Sequence, residues 1–170
     1  MMPYKYVVLA MPRSMSFWLA EFLKFDHDPR DTPPQSDGLV DTGAYMNKEF
    51  YDSIIGPETK VAFLIRDPRL VAESISKNFG LSSLQATMFA NHCHSQLLER
   101  MESKGVSKLM AVEAPLRSSD VLELMDYFGL DTPHHSDIVI ALSEKKDKAY
   151  YPGYIAQARH EFSQIFNLPK

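Results

Sequence analysis

Cysteine occurs once in these 170 residues, at position 93, so no intrachain disulfide forms and neither a cysteine-rich zinc site nor a redox pair can be built. A basic excess is also missing. Eighteen Lys and Arg against 22 Asp and Glu leave a formal net charge of -4, which argues against nonspecific nucleic-acid binding through a broad basic face. Apolar runs are strand-sized, too short to span a bilayer, so no membrane partner is expected. Met1-Met2-Pro3-Tyr4-Lys5 lacks the apolar core and cleavage site of a secretory signal, and a cytoplasmic location is expected. Repeats, low-complexity tracts and linkers are absent from a composition that is 45% hydrophobic and 24% charged, which predicts one domain over 1–170.

What is present is an alternation of short apolar runs with amphipathic ones. Strands are expected at 4–10, 39–43, 61–66 and 109–113, and helices at 16–25, 47–55, 68–79, 82–103, 119–128 and from about 155. Val71, Ile75 and Phe79 recur four apart, as do Phe89, Cys93, Leu97 and Met101; Ser82 to Gln85 matches a capping box, and Gly80 and Gly129 read as helix stops. The proline-bearing stretch 26–38 is expected to be a surface loop, and 138–142 reads equally as a strand or a helical turn. The pattern predicts an α/β fold, a three-layer sandwich with a mostly parallel sheet, whose ligands bind at the carboxyl ends of the strands.

Two segments at that edge carry chemistry. In Val7 to Leu19 an apolar strand enters a Pro12-Arg13-Ser14-Met15-Ser16 turn and leaves as a helix, which places backbone N–H groups, the positive helix end, Arg13 and two hydroxyls together. The Walker pattern Gly-x-x-x-x-Gly-Lys-Ser/Thr has neither its glycines nor its lysine here, which weakens an ATPase reading. In the second segment, Val61 to Ile65 runs into Arg66, Asp67 and Pro68, and Ser74 follows Arg66 by eight residues. Asp67 and Pro68 suit the N-cap and first position of a helix, which puts Ser74 in the second turn, near an anion held by Arg66.

Together these residues resemble the sulfotransferases. The family's phosphosulfate loop reads Pro-Lys/Arg-Ser/Thr-Gly-Thr/Ser-x-Trp-Leu, matched by Pro12, Arg13, Ser14, Ser16, Trp18 and Leu19, with Met15 in place of the glycine. The family also has an Arg at a strand end and a Ser eight residues later, as Arg66 and Ser74 stand here. The resemblance spans roughly residues 5 to 130. It implies a P-loop NTPase-like fold and 3′-phosphoadenosine 5′-phosphosulfate (PAPS) as sulfuryl donor, without a metal. Pro12 to Trp18, Phe17 included, would then hold the 5′-phosphosulfate, Arg66 and Ser74 the 3′-phosphate, and Trp18 would pack beneath the adenine or serve the core. The acceptor would be a small molecule or glycan bearing a hydroxyl or amine.

Sulfuryl transfer is governed by positioning and electrostatics, with Arg13 suited to the bridging oxygen. A proton acceptor is also useful. The cytosolic branch of the family keeps a His about twenty residues before the second motif's Arg, and that window contains no His in this chain. Asp41 is the preferred base, against the plain alternative of a turn-forming Asp that binds its own backbone. His27, flanked by Asp26 and Asp28, is the other candidate. His92 and His94 fall on different sides of a helix, His134 and His135 read as loop surface, Glu113 reads as a supporting residue, and Lys145, Lys146 and Lys148 read as a solvated loop. Two rival functions remain, a P-loop kinase with a degenerate loop and a non-catalytic nucleotide-binding or protein-interaction module.

Overall fold

In the computed structural model the strand Tyr6–Ala10 (β1) is buried along its whole length, because it lies at the centre of a five-stranded parallel sheet. The structure describes residues 3–28, 33–104, 109–112 and 116–144. The order of elements is β1, α1 (Ser16–Leu23), β2 (Asp26–His27), β3 (Gly38–Asp41), a 3₁₀ turn (Ala44–Met46), α2 (Lys48–Ile54), β4 (Lys60–Arg66), α3 (Pro68–Phe79), α4 (Ser83–Lys104), β5 (Leu109–Val112), α5 (Ser118–Phe128) and α6 (His135–Ser143). The strands lie in the order β2-β3-β1-β4-β5. β1 sets Val8 beside Val40 on one flank and Ala62 on the other.

Strand alternation divides the core into two layers. Val7 and Leu9 point into a cluster with Tyr51 and Ile54 of α2, Val71 and Ile75 of α3 and Phe89 and Leu97 of α4. Tyr6, Val8 and Ala10 point the other way, onto Leu19 of α1 and Leu124 and Phe128 of α5. The molecule is therefore an α/β three-layer sandwich. Burying each of these large apolar side chains contributes about 1.5 to 3 kcal/mol, which is why the two faces, and not local propensity, set the register. α6 packs on α5 through Ile138, Val121 and Met125.

Local signals account for several boundaries. Asp67 accepts a bond from the Arg69 N–H at 2.8 Å with Pro68 in the first turn, and Gly80 closes α3 at φ 67°. Ser82 and Gln85 form the reciprocal capping box, each backbone N–H meeting the other's side chain at 3.2 Å. The ladder Phe89, Cys93, Leu97, Met101 is buried.

Elsewhere the structure corrects the expectation. Asp26 and His27 are not loop: they add a short edge strand, pairing in parallel with Leu39 and Val40, and the Tyr4 hydroxyl donates to Asp26 at 2.8 Å. The helix expected over 119–128 starts at Ser118 (α5), because the Asp120 carboxylate takes the Arg117 N–H at 3.1 Å and caps it at Arg117. The ambiguous 138–142 segment belongs to helix α6, whose first residue, His135, was expected in a loop. Glu113, the lysines 145, 146 and 148, and the helix expected from about 155 lie outside the described residues.

Candidate functional site

The turn after β1 begins where Met11 donates its N–H to the Leu64 carbonyl at 3.0 Å, still following β4. Ser14, buried, donates its hydroxyl back to the Met11 carbonyl at 2.5 Å and closes the turn. Arg13 and Met15 take left-handed backbone, at φ 61° and 67°, a conformation that costs a side-chain-bearing residue about 1 to 2 kcal/mol. Met15 is the N-cap of α1 and offers no side-chain cap. The first helical bond runs from the Leu19 N–H to the Met15 carbonyl at 2.9 Å, so the amides ahead of Leu19 form the open first turn, where the helix dipole is positive. The Met15 side chain turns away from this opening, its sulfur 3.1 Å from the Leu116 N–H and its body against the α1–α5 core.

Two distant segments meet at this turn. Arg13 donates from Nε to the Ser74 hydroxyl at 2.8 Å, and Arg66, at the end of β4, donates from Nη1 to the Arg13 carbonyl. Three residues picked out in sequence, 61 and 53 positions apart, thus lie in one hydrogen-bonded group. Burial lowers the pKa of Arg66 and the nearby Arg13 charge lowers it further, while Glu73 and Asp67 act the other way. An anion here would relieve the repulsion between the two guanidinium groups. Asn78, four residues beyond Ser74 on α3, donates to the Ser74 carbonyl at 2.7 Å and buttresses it; the helical spacing was its only sequence signal. Arg69, three residues beyond Arg66, pairs with Asp67 at 2.7 Å and is largely exposed.

The carboxyl ends of β2 and β3 hold the titratable groups. Asp41 is almost wholly buried, and its Oδ1 accepts the N–H groups of Gly43 and Ala44 at 2.8 and 2.5 Å. Burial and the Asp28 charge push its pKa up to about 6, against the two amides and His27, which lower it. His27 places Nε2 at 3.2 Å from the Ser16 hydroxyl, and Phe17 meets its ring edge-on with centroids 5.6 Å apart. Asp28, whose φ of 41° turns the chain back, accepts from the Thr42 N–H at 2.7 Å and from its hydroxyl at 2.9 Å, and stands 3.5 Å from His27 Nε2.

Trp18 stacks on Phe22, with centroids 5.1 Å apart, and donates its indole N–H to the Ala141 carbonyl of α6 at 3.3 Å. Pro12 sits half-buried in the turn, and Phe17 is one of the exposed large apolar residues. His135 lies away from this group, 2.6 Å from the Ser118 hydroxyl. Among the described residues no set of three His, Cys, Asp or Glu side chains is placed to hold a metal, and no helix is long and apolar enough to cross a membrane. The sequence matches no model of a known protein family and no curated protein.

Proposed function

We propose that the chain binds 3′-phosphoadenosine 5′-phosphosulfate at the carboxyl edge of β1 and β4, in a P-loop NTPase-like arrangement, and transfers its sulfuryl group to a hydroxyl or amine. The observation that carries this reading is the convergence of Arg13, Ser74 and Arg66, with one guanidinium's charge disfavouring the other's. The donor set fits a nucleotide with two separate anionic groups: a helix start with open amides for one, and a strand-end Arg with a helix Ser for the other. Helix α1 leaves β1 toward one face of the sheet while α3 leaves β4 toward the other. Ligands of parallel α/β sheets bind in the crevice at such a divergence.

When bound, the phosphosulfate supplies the sulfuryl group. Arg13 and the first turn of α1 then orient the anion and stabilise charge that builds on the leaving oxygen. His27 is the better placed proton acceptor, because its Nε2 reaches Ser16 in the loop while the Asp41 carboxylate is occupied by the amides of its own turn. Asp41 is the second candidate. Its turn-bound carboxylate also favours a second reading, a non-catalytic nucleotide-binding module on the same scaffold, which would bind without turnover.

The test is a melting-temperature series with adenosine 3′,5′-bisphosphate, AMP, ATP and GTP, since a ligand that binds only the native state stabilises it by mass action. The bisphosphate is expected to give the largest shift. Equal shifts from AMP and the bisphosphate would remove the case for a second phosphate on Arg66 and Ser74. Sulfuryl transfer from labelled PAPS to phenol, amine and sugar acceptors then separates the enzyme from the binding module.

A further inference from the structure

We propose that Asp28 is the positioning residue that holds the His27 ring against Ser16 at the start of α1. The edge strand β2 ends at His27, and the next residue leaves the pleat in left-handed backbone, a conformation that Asp adopts more readily than most side-chain-bearing residues. The Asp28 N–H still follows the sheet, bonded to the Val40 carbonyl at 3.2 Å, so the reversal is anchored on its own main chain. Its two carboxylate oxygens are then fixed separately by Thr42, Oδ1 on the backbone N–H at 2.7 Å and Oδ2 on the hydroxyl at 2.9 Å. A carboxylate held at both oxygens has little rotational freedom, and Oδ2 is the oxygen 3.5 Å from His27 Nε2.

Among the described residues, Asp28 Oδ2 and the Ser16 hydroxyl both face Nε2, at 3.5 and 3.2 Å, and Phe17 meets the ring edge-on. Among the described groups that act on the ring, Asp28 comes from its own strand end and Asp41 from β3; α1 contributes Ser16 and Phe17, which carry no charge. The carboxylates favour the protonated imidazole, as a base that must accept a proton requires, and Thr42 keeps the nearer one from swinging out to solvent. The catalytic meaning of this arrangement rests on the proposed role of His27 as proton acceptor, whereas the orientation does not.

The experiment follows the His27 imidazole by nitrogen-15 NMR titration of the full chain, with the signal assigned by its loss in His27→Gln. Asp28→Asn keeps an acceptor for Thr42 and tolerates the left-handed backbone, but removes the charge. It is expected to lower the His27 midpoint by about 1 pH unit. Should that variant fail to fold, Thr42→Val is the second arm: without the hydroxyl, Oδ2 is free to swing toward solvent, which lowers the midpoint as well. An unchanged midpoint in a folded variant of either kind overturns the proposal. Melting shifts with adenosine 3′,5′-bisphosphate are read on the same samples. A wild-type protein that ignores the bisphosphate removes the sulfuryl-transfer reading, yet a moved midpoint would still support the positioning role.

Discussion

Arg66 donates from its guanidinium to the backbone carbonyl of Arg13, so the residue that ends β4 also braces the turn that ends β1. Arg66 is fixed at the end of a strand and Arg13 in the turn by its bond to Ser74, so the site is organised before any anion arrives, which lowers the entropic cost of binding one. Arg66→Ala is expected to erase the preference for adenosine 3′,5′-bisphosphate over AMP, at a cost of roughly 2 to 4 kcal/mol in bisphosphate binding if a charge-assisted contact is lost. Calorimetry with the two ligands reads this directly, and an undiminished preference would place the 3′-phosphate elsewhere.

Met15 combines a left-handed backbone with a side chain packed toward Leu116, two features that oppose each other. Met15→Gly relieves the backbone strain but loses the packing, so its net effect on stability is expected within about 1 kcal/mol of zero. Met15→Ala keeps the strain and loses the same packing. Glycine is therefore expected to be the more stable replacement by about 1 kcal/mol, the reverse of the order that holds inside a helix. Urea midpoints of the two variants decide it, and an alanine variant as stable as the glycine variant would show that the turn relaxes out of the left-handed region.

Helix α3 could be read from sequence because Asp67, Pro68 and Gly80 mark its ends and Val71, Ile75 and Phe79 its buried face. The meeting of Arg66 and Ser74 with the β1 turn was legible only because two motifs follow two strands of one parallel sheet. β2 was not legible. A two-residue strand has no periodicity, and its reason to exist is a partner 13 residues away. Left-handed Arg13, Met15, Lys24 and Asp28 also leave no glycine to announce them; Lys24 ends α1 where its N–H and that of Phe25 reach back into the last turn. The Asp28–Thr42 clamp spans 14 positions and depends on the register of β2 against β3, which local spacing does not encode.

Gly38 opens β3 directly beneath the Phe25 ring, and a Cβ there would lie 2.4 Å from three ring atoms. The ring has little room to yield, since it stacks on Tyr6 with centroids 5.9 Å apart and leans on Phe128 at 6.0 Å. Gly38→Ala is expected to destabilise the fold by about 1 to 3 kcal/mol through overpacking. The companion Phe25→Leu substitution should recover part of that loss in a double-mutant cycle. Additive effects of the two changes would show that the ring is not what excludes the methyl group.

Asp41 sets a pH dependence whose sign follows from burial. Its pKa rises from the ordinary 3.8 to about 6 in the folded protein, chiefly through desolvation and secondarily through Asp28. A carboxyl group whose pKa is raised on folding stabilises the native state when protonated, and that contribution is full below about pH 4 and is lost as pH climbs through about 6. Asp41→Asn keeps an oxygen for the Gly43 and Ala44 amides but does not ionise. The variant should therefore gain on the wild type between pH 4 and pH 7, by on the order of 2 kcal/mol. Urea denaturation of both proteins at half-unit pH steps measures the gap. A gap that stays constant across this range would mean that Asp41 titrates at its ordinary value. In that case its carboxylate is better solvated than its position behind the turn implies, and it would return as a rival to His27 for the proton.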